Sequence, residues 1–321
     1  MKLEKFYHKV VEIGINNDLR GKNEVKTLLK EEKERFDKLE KDDLEFYDKD
    51  RLFNPYPDTR ILNGDKNLEI GKVIVGIDMQ VGEILLTHLL NKDKKEKIDL
   101  LISHHPEGYA LARLYEVMSL QADILAHYGI TISVAEQLMA KRISEVERRF
   151  MPVNHTRAVD SAKAMGIPMM CIHTPADNCV ANYLTKTFAK KKPLKLKDIL
   201  DILKTIPEYK KSMKLQVPPK IVNGDENNKC GKIFVDMTGG TEGSKEIFER
   251  FANSGVSTLV GMHFSEEHLE NAKKANLNMI IAGHISSDVL GLNLLFDEIE
   301  REEKLRFIGV SGFERIRHTR A

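Results

Sequence analysis

Neither sign of charge prevails in this 321-residue sequence: 50 lysines and arginines stand against 49 aspartates and glutamates, a formal net charge of +1. That balance leaves no electrostatic footprint for nucleic acid or for an anionic membrane surface, and neither is expected as a partner. Cysteine is scarce. Cys171, Cys179 and Cys230 form no Cys-x-x-Cys pair, and an odd count without a framework suits a reducing compartment, here the cytoplasm. Long apolar runs are missing as well: nothing approaches the roughly 20 residues needed to span a bilayer, and Met1-Lys2-Leu3-Glu4-Lys5 opens no signal-peptide core. The expectation is a soluble cytoplasmic protein with length enough for a full core and two domains.

What is present begins with helix and polar connection over residues 1–60. Residues 22–43 are dense in Glu, Lys and Leu, with Val25, Leu28, Leu29, Phe36 and Leu39 at spacings near three and four, which predicts a helix with a solvated face. Asn54-Pro55-Tyr56-Pro57-Asp58 stops it, because each proline lacks a donor and restricts its predecessor. From Ile61 an internal repeat appears at an offset of 160 residues: 61–75 and 221–235 agree at 8 of 15 positions. Both copies put Asn-Gly-Asp in a turn and then enter a β-branched strand.

The repeat divides the chain into a helical N-terminal segment (1–60), a first α/β half (61–215) and a second (216–321). Strands are expected over 72–79, 98–103, 130–134 and 167–172, and over 232–237, 257–262, 277–282 and 306–310. Amphipathic stretches at 84–90, 114–127, 134–150, 245–252, 266–275 and 289–300 separate them. This alternation predicts an α/β fold of two similar halves related by internal duplication, with largely parallel sheets flanked by helices. Ligands in such sheets sit beyond the carboxyl ends of the strands.

Three of those strand ends carry metal-ligating side chains. Leu100-Leu101-Ile102-Ser103 runs into His104-His105-Pro106, and consecutive imidazoles at a strand end point to different sides, which suits two ions better than one. The plain alternative is a pair of half-buried histidines capping the next helix. Met279-Ile280-Ile281-Ala282-Gly283 leads to His284, with Asp288 four residues on and on the same helical face. That carboxylate either bridges two cations or joins Ser286 and Ser287 in capping the helix. In His173-Thr174-Pro175-Ala176-Asp177, Pro175 marks a helix start with Thr174 as N-cap and Asp177 as a capping-box acid, a role compatible with metal binding.

Weaker candidates surround these. His263 ends a strand and, with His173, is a candidate proton donor. The Gly-rich turn 238–244 could lend amides to an anion but lacks the Gly-Lys-Ser/Thr of a nucleotide-binding phosphate loop. His127, His155 and His318 have no partner pattern, and Cys171 reads as a small buried hydrophobe.

Ile102-Ser103-His104-His105-Pro106, His173-Thr174-Pro175-Ala176-Asp177, Thr238-Gly239-Gly240 and Ala282-Gly283-His284-Ile285-Ser286-Ser287-Asp288 together resemble the Nif-three-like family of dinuclear-metal proteins, whose members often carry the label GTP cyclohydrolase I type two. The resemblance covers most of residues 61–300. It implies metal ligation by His104, His105, Asp177 and His284, with Asp288 where the family has a bridging glutamate. Two divalent ions per chain (iron, zinc or manganese) and a toroidal homohexamer are implied too. The chain departs from the family in that shorter aspartate, in a helical pair inserted over 134–165, and in its helical first 60 residues. About 30 residues around 189–217 leave no room for the domain that longer members carry between the halves.

The function expected from these features is a metal-dependent hydrolase, in which two ions about 3.5–4 Å apart activate water and polarise a phosphoryl or carbonyl oxygen of a small-molecule substrate. The substrate would be a phosphoester or a cyclic amide or nucleotide. The competing class is a non-catalytic metal-binding assembly protein for storage, delivery or sensing, with the same ligands.

Overall fold

A computed structural model of the chain describes residues 1–92 and 97–318. Among these, nine strands build two sheets: β1 (Arg60–Asn63), β2 (Lys72–Gly76), β3 (Leu100–Ser103), β4 (Met169–Cys171), β5 (Lys220–Asn223), β6 (Lys232–Asp236), β7 (Val256–Gly261), β8 (Asn278–Ile281) and β9 (Arg306–Gly309). The first sheet has the order β1-β4-β3-β2-β9 and the second β5-β8-β7-β6. In each, the leading strand is antiparallel to its neighbour and the others run parallel. This is the α/β class that the alternation predicts.

The repeat extends to a local irregularity. Register shifts occur between Ile61 and Asn63 and between Ile221 and Asn223. Each shifted asparagine donates from Nδ2 to a backbone carbonyl, of Ile167 at 2.7 Å or Leu277 at 2.6 Å. The expected strands do not include β1 and β5, because so short a run before a turn shows no alternation; antiparallel edge pairing completes them. β9 joins the first sheet although it closes the chain, so sheet membership crosses the sequence division at 216.

Two helices, Thr174–Lys191 and His284–Ile299, form a layer shared by both sheets. Towards the first sheet, Ala176, Cys179, Val289, Leu292 and Phe296 pack with Val73, Val75, Ile102 and Met170. Towards the second, Val180, Ala181, Leu184 and Leu290 pack with Val235, Val260 and Ile280. These helices are therefore buried on two sides, which explains their long apolar runs. The helix Leu3–Asn17 joins the same core through Leu3, Phe6, Tyr7, Val10 and Val11. Lys22–Phe36, by contrast, buries only Val25, as its charge pattern predicts.

The strand expected over 130–134 is replaced by the start of the helix Ile132–Phe150. Ile130-Thr131-Ile132 is β-branched, but Ala135, Met139 and Val146 recur on one face of the following chain and are buried. Helical periodicity over 19 residues outweighs a short β-prone run. With Arg157–Ala164 this helix makes the helical pair expected over 134–165, and Leu196–Thr205 and Pro207–Lys214 fill the connection between the halves. Among the described residues, no helix is long and apolar enough to cross a membrane.

Candidate metal centre

The carboxyl ends of β3, β4 and β8 meet at one place. Beyond Ser103 come His104 and His105; beyond Cys171 come Ile172, His173 and the helix Thr174–Lys191; beyond Ile281 come Ala282, Gly283 and the helix His284–Ile299. Gly283 turns the chain with φ at 115°, a conformation that side chains with a Cβ rarely adopt. The two central helices touch where Gly291 faces Ala176: a Cβ at Gly291 would stand 2.4 Å from the Ala176 carbonyl oxygen. That close approach brings Asp177 and Asp288 together.

His105, His173, Asp177, His263, His284 and Asp288 all line one cavity of about 270 Å³. His104 lies beneath them, with no exposed surface. Its Nε2 is 3.5 Å from Asp177 Oδ1 and 3.5 Å from Asp288 Oδ1. On the other side of the same carboxylate, Asp288 Oδ2 is 3.6 Å from His105 Nε2 and 3.5 Å from His284 Nε2. His173 Nε2 reaches Asp177 Oδ2 at 3.7 Å. Two sets of donor atoms, His104-His105-Asp288 and His104-His173-Asp177, each converge within 4.8 Å. The seven side chains singled out by the sequence are thus gathered at one site, and His173 stands among the candidate ligands rather than apart from them.

Neither carboxylate caps a helix. Asp177 is the fourth residue of its helix, after Thr174. Thr174 donates to Asp58 Oδ2 at 2.6 Å instead of capping, so the capping-box reading of Asp177 fails. Ser286 and Ser287 bond back to the Gly283 carbonyl, at 3.2 and 2.6 Å, and Asp288 takes no part. His104 Nε2, Asp177 Oδ1 and both oxygens of Asp288 are buried with no hydrogen-bond partner. Each such atom costs about 1–3 kcal/mol when nothing replaces its water.

The far-side ring nitrogens of His104, His105 and His173 are held. His104 Nδ1 bonds the Ile172 carbonyl at 2.9 Å, His105 Nδ1 bonds Asp78 Oδ1 at 2.7 Å, and His173 Nδ1 bonds Asp58 Oδ2 at 2.8 Å. Donation from Nδ1 fixes the tautomer that presents Nε2 inward as a lone pair, the arrangement that supports metal-ligating histidines. His263 follows the same rule on the cavity wall, its Nδ1 3.0 Å from Glu242 Oε1. Asp58, Asp78 and Glu242 escape sequence reasoning because each sits in a turn or strand end where carboxylates are common. For Asp58 the signal available is its place in the proline-rich stop before β1.

Solved structures share this architecture. A NIF3 superfamily protein from Sphaerobacter thermophilus superposes with a TM-score of 0.71 at 25% identity, over 80% of this chain and 92% of that one. The chain is similar to NIF3 superfamily proteins. Reduced HcgD from Methanocaldococcus jannaschii is also similar (TM-score 0.48, 16% identity, 78% of this chain and 87% of that one). So is TTHA1606 from Thermus thermophilus (TM-score 0.45, 14% identity, 79% and 87%). No protein-family model and no curated protein sequence matches the chain.

In this NIF3-like site His104, His284 and Asp288 stand in the protonation states that bind cations, whereas without an ion His105 and His173 are drawn towards the imidazolium form by the neighbouring carboxylates. Burial pushes His104 down to about 4 and also lowers His284, so both imidazoles are neutral at pH 7. Burial works against ionisation of Asp288, yet the imidazoles of His104 and His105 hold its carboxyl far below the usual carboxylate range. Burial drives Asp177 upward, while on His173 the downward pull of burial is outweighed by Asp177 and Asp58. Neutral imidazoles and ionised carboxylates are the forms that bind metals. Ligands about 2.0–2.2 Å from a tetrahedral ion stand roughly 3.3–3.6 Å apart, which is the spacing around Asp288. The buried His and Asp groups could therefore hold a metal ion.

Proposed function

We propose that this NIF3-like protein holds two divalent ions of iron, zinc or manganese between its halves and hydrolyses a small molecule. The observation that carries the reading is the orphaned set of buried atoms, His104 Nε2, Asp177 Oδ1 and both oxygens of Asp288, beside an open cavity. Asp288 offers Oδ1 towards His104 and Oδ2 towards His105 and His284, so its carboxylate lies between two donor sets. One set would be His104, Asp177 and Asp288 with His173 beside Asp177; the other would be His105, His284 and Asp288. Bound there, such ions supply Lewis acidity and a lowered pKa for water.

The remaining residues perform separate tasks. Asp58 and Asp78 orient His173 and His105. His263, held by Glu242 and with its ring centroid 4.8 Å from that of His284, is placed to exchange a proton with a substrate in the cavity. That wall is what favours hydrolysis over storage. The homohexamer implied by the resemblance is proposed too, supported by the exposed apolar side chains Val81, Leu85, Leu86 and Leu89 on the helix Val81–Lys92. Elemental analysis of metal-replete protein tests the centre: about two ions per chain are expected, and a stoichiometry near zero with the fold intact overturns it. A hydrolysis screen of amides and phosphoesters on the same sample tests the activity.

A further inference from the structure

The cavity has a second wall besides the candidate ligands. It is built from the end of β6 and the Gly-rich turn after it, and it presents Asp236, Thr238, Thr241 and Glu242. The turn is pinned from outside: Gln121 Nε2 donates to the carbonyls of Gly239 at 2.6 Å and Thr241 at 2.8 Å, and Thr238 Oγ1 donates to Asn178 Oδ1 at 2.6 Å. The wall is therefore a fixed surface. Glu242 is tied to His263 and lies 3.8 Å from His268 Nδ1. The Asp236 carboxylate, by contrast, takes no side-chain hydrogen bond among the described residues.

The fixed charges around this space are carboxylates, and the imidazole of His263 is already engaged by Glu242. Asp177, Asp236, Glu242 and Asp288 line it, and among the described lining residues there is neither Lys nor Arg. Two divalent ions at the candidate ligands would be half offset by Asp177 and Asp288, and Asp236 and Glu242 would face the distal end of a substrate. Leu111, Leu114, Met237 and Met262 give the same space an apolar side. A phosphate on the distal end would meet carboxylates, with no guanidinium or ammonium to receive it and the His263 imidazole held by Glu242, whereas N–H groups would meet acceptors.

We infer that the cavity selects a flat, uncharged or cationic nitrogen compound, an amide or N-heterocycle whose N–H groups are received by Asp236 and Glu242, and that it rejects phosphorylated counterparts. This inference rests on the metal-centre reading of the candidate ligands. The test uses zinc-loaded protein whose metal content is measured on the same sample. Binding of adenosine, cytidine and uridine, each beside its 5′-monophosphate, is followed by calorimetry. At least one nucleoside should bind about tenfold more tightly than its monophosphate, and the preference should shrink severalfold in Glu242→Gln and in Asp236→Asn as carboxylate charge is removed. Monophosphates that bind as well as or better than nucleosides, no binding by any nucleoside, or an unchanged preference in both variants would overturn the inference while leaving the metal reading standing. Failure to load zinc would instead overturn the metal reading.

Discussion

The two halves share a topology but divide the work of the site. The first supplies its floor: His104, His173 and Asp177 are nearly inaccessible, and their supports, the Ile172 carbonyl and Asp58, are buried with them. The second supplies the rim and one central group: the His263 and His284 side chains are 45% and 39% exposed, while Asp288 is fully buried among the first half's histidines. The pairing registers put His173 and Gly283 at matching points, each directly before its helix. From there the chemistry diverges, because the first helix offers a carboxylate at its fourth residue and the second at its fifth. A duplicated scaffold thus yields two unlike half-sites, and Asp288 alone spans them.

If Asp288 joins the half-sites, its loss should have the largest effect. Asp288→Asn is expected to lower metal affinity by more than about a hundredfold, since it removes the negative charge between two cations as well as a ligand. Asp288→Glu should retain metal. Titration with zinc and thermal melts of both variants decide this, and a silent Asn variant would remove Asp288 from the site.

The contrast between floor and rim comes next. His104→Ala is expected to abolish binding at the inner donor set while the protein stays folded, and His284→Ala to weaken only the outer one. Metal stoichiometry beside circular dichroism distinguishes them; equal losses from both would erase the contrast. One step further out, Asp58→Asn leaves every ligand in place but releases His173 and Thr174. A fall of about 10–100-fold in metal affinity is expected, with little change in melting temperature beyond a degree or two per lost bond.

Two smaller effects probe how the halves are held together. Gly291→Ala drives a methyl into the Ala176 carbonyl, which should cost about 1–3 kcal/mol of stability by overpacking and weaken metal binding without touching a ligand. Denaturant unfolding with metal titration checks it, and a neutral variant would show that the helix contact does not set the site. At the seam made by the C-terminal segment, His318 Nε2 bonds buried Glu208 at 2.8 Å. That bond raises the His318 pKa against the opposing effect of burial. A raised folded-state value means the stabilisation is full below the unfolded pKa, about 6.5, and is lost as pH rises through the folded value. The melting-temperature difference between the parent and His318→Gln should therefore be greatest at acid pH and fade above neutrality; a constant difference would mean that charge plays no part.

Much of this was determined by the sequence alone. Strand-end histidines after buried apolar runs, four-residue spacings to carboxylates and a 160-residue repeat are local patterns, and they located two sheets and all seven side chains of the site. The tertiary structure decided what those patterns leave open. Asp78 meets His105 across 27 residues and Asp58 meets His173 across 115. Gln121 pins the Gly-rich turn across 118. A carboxylate or amide in a loop has the same local signature whether it caps, solvates or orients a ligand, because its role depends on what the packing of distant elements brings within hydrogen-bond reach. So it is with Asp177 and Asp288: sequence allows each to cap a helix, and only the crossing of two buried helices at Gly291 leaves their oxygens facing imidazoles instead of backbone amides.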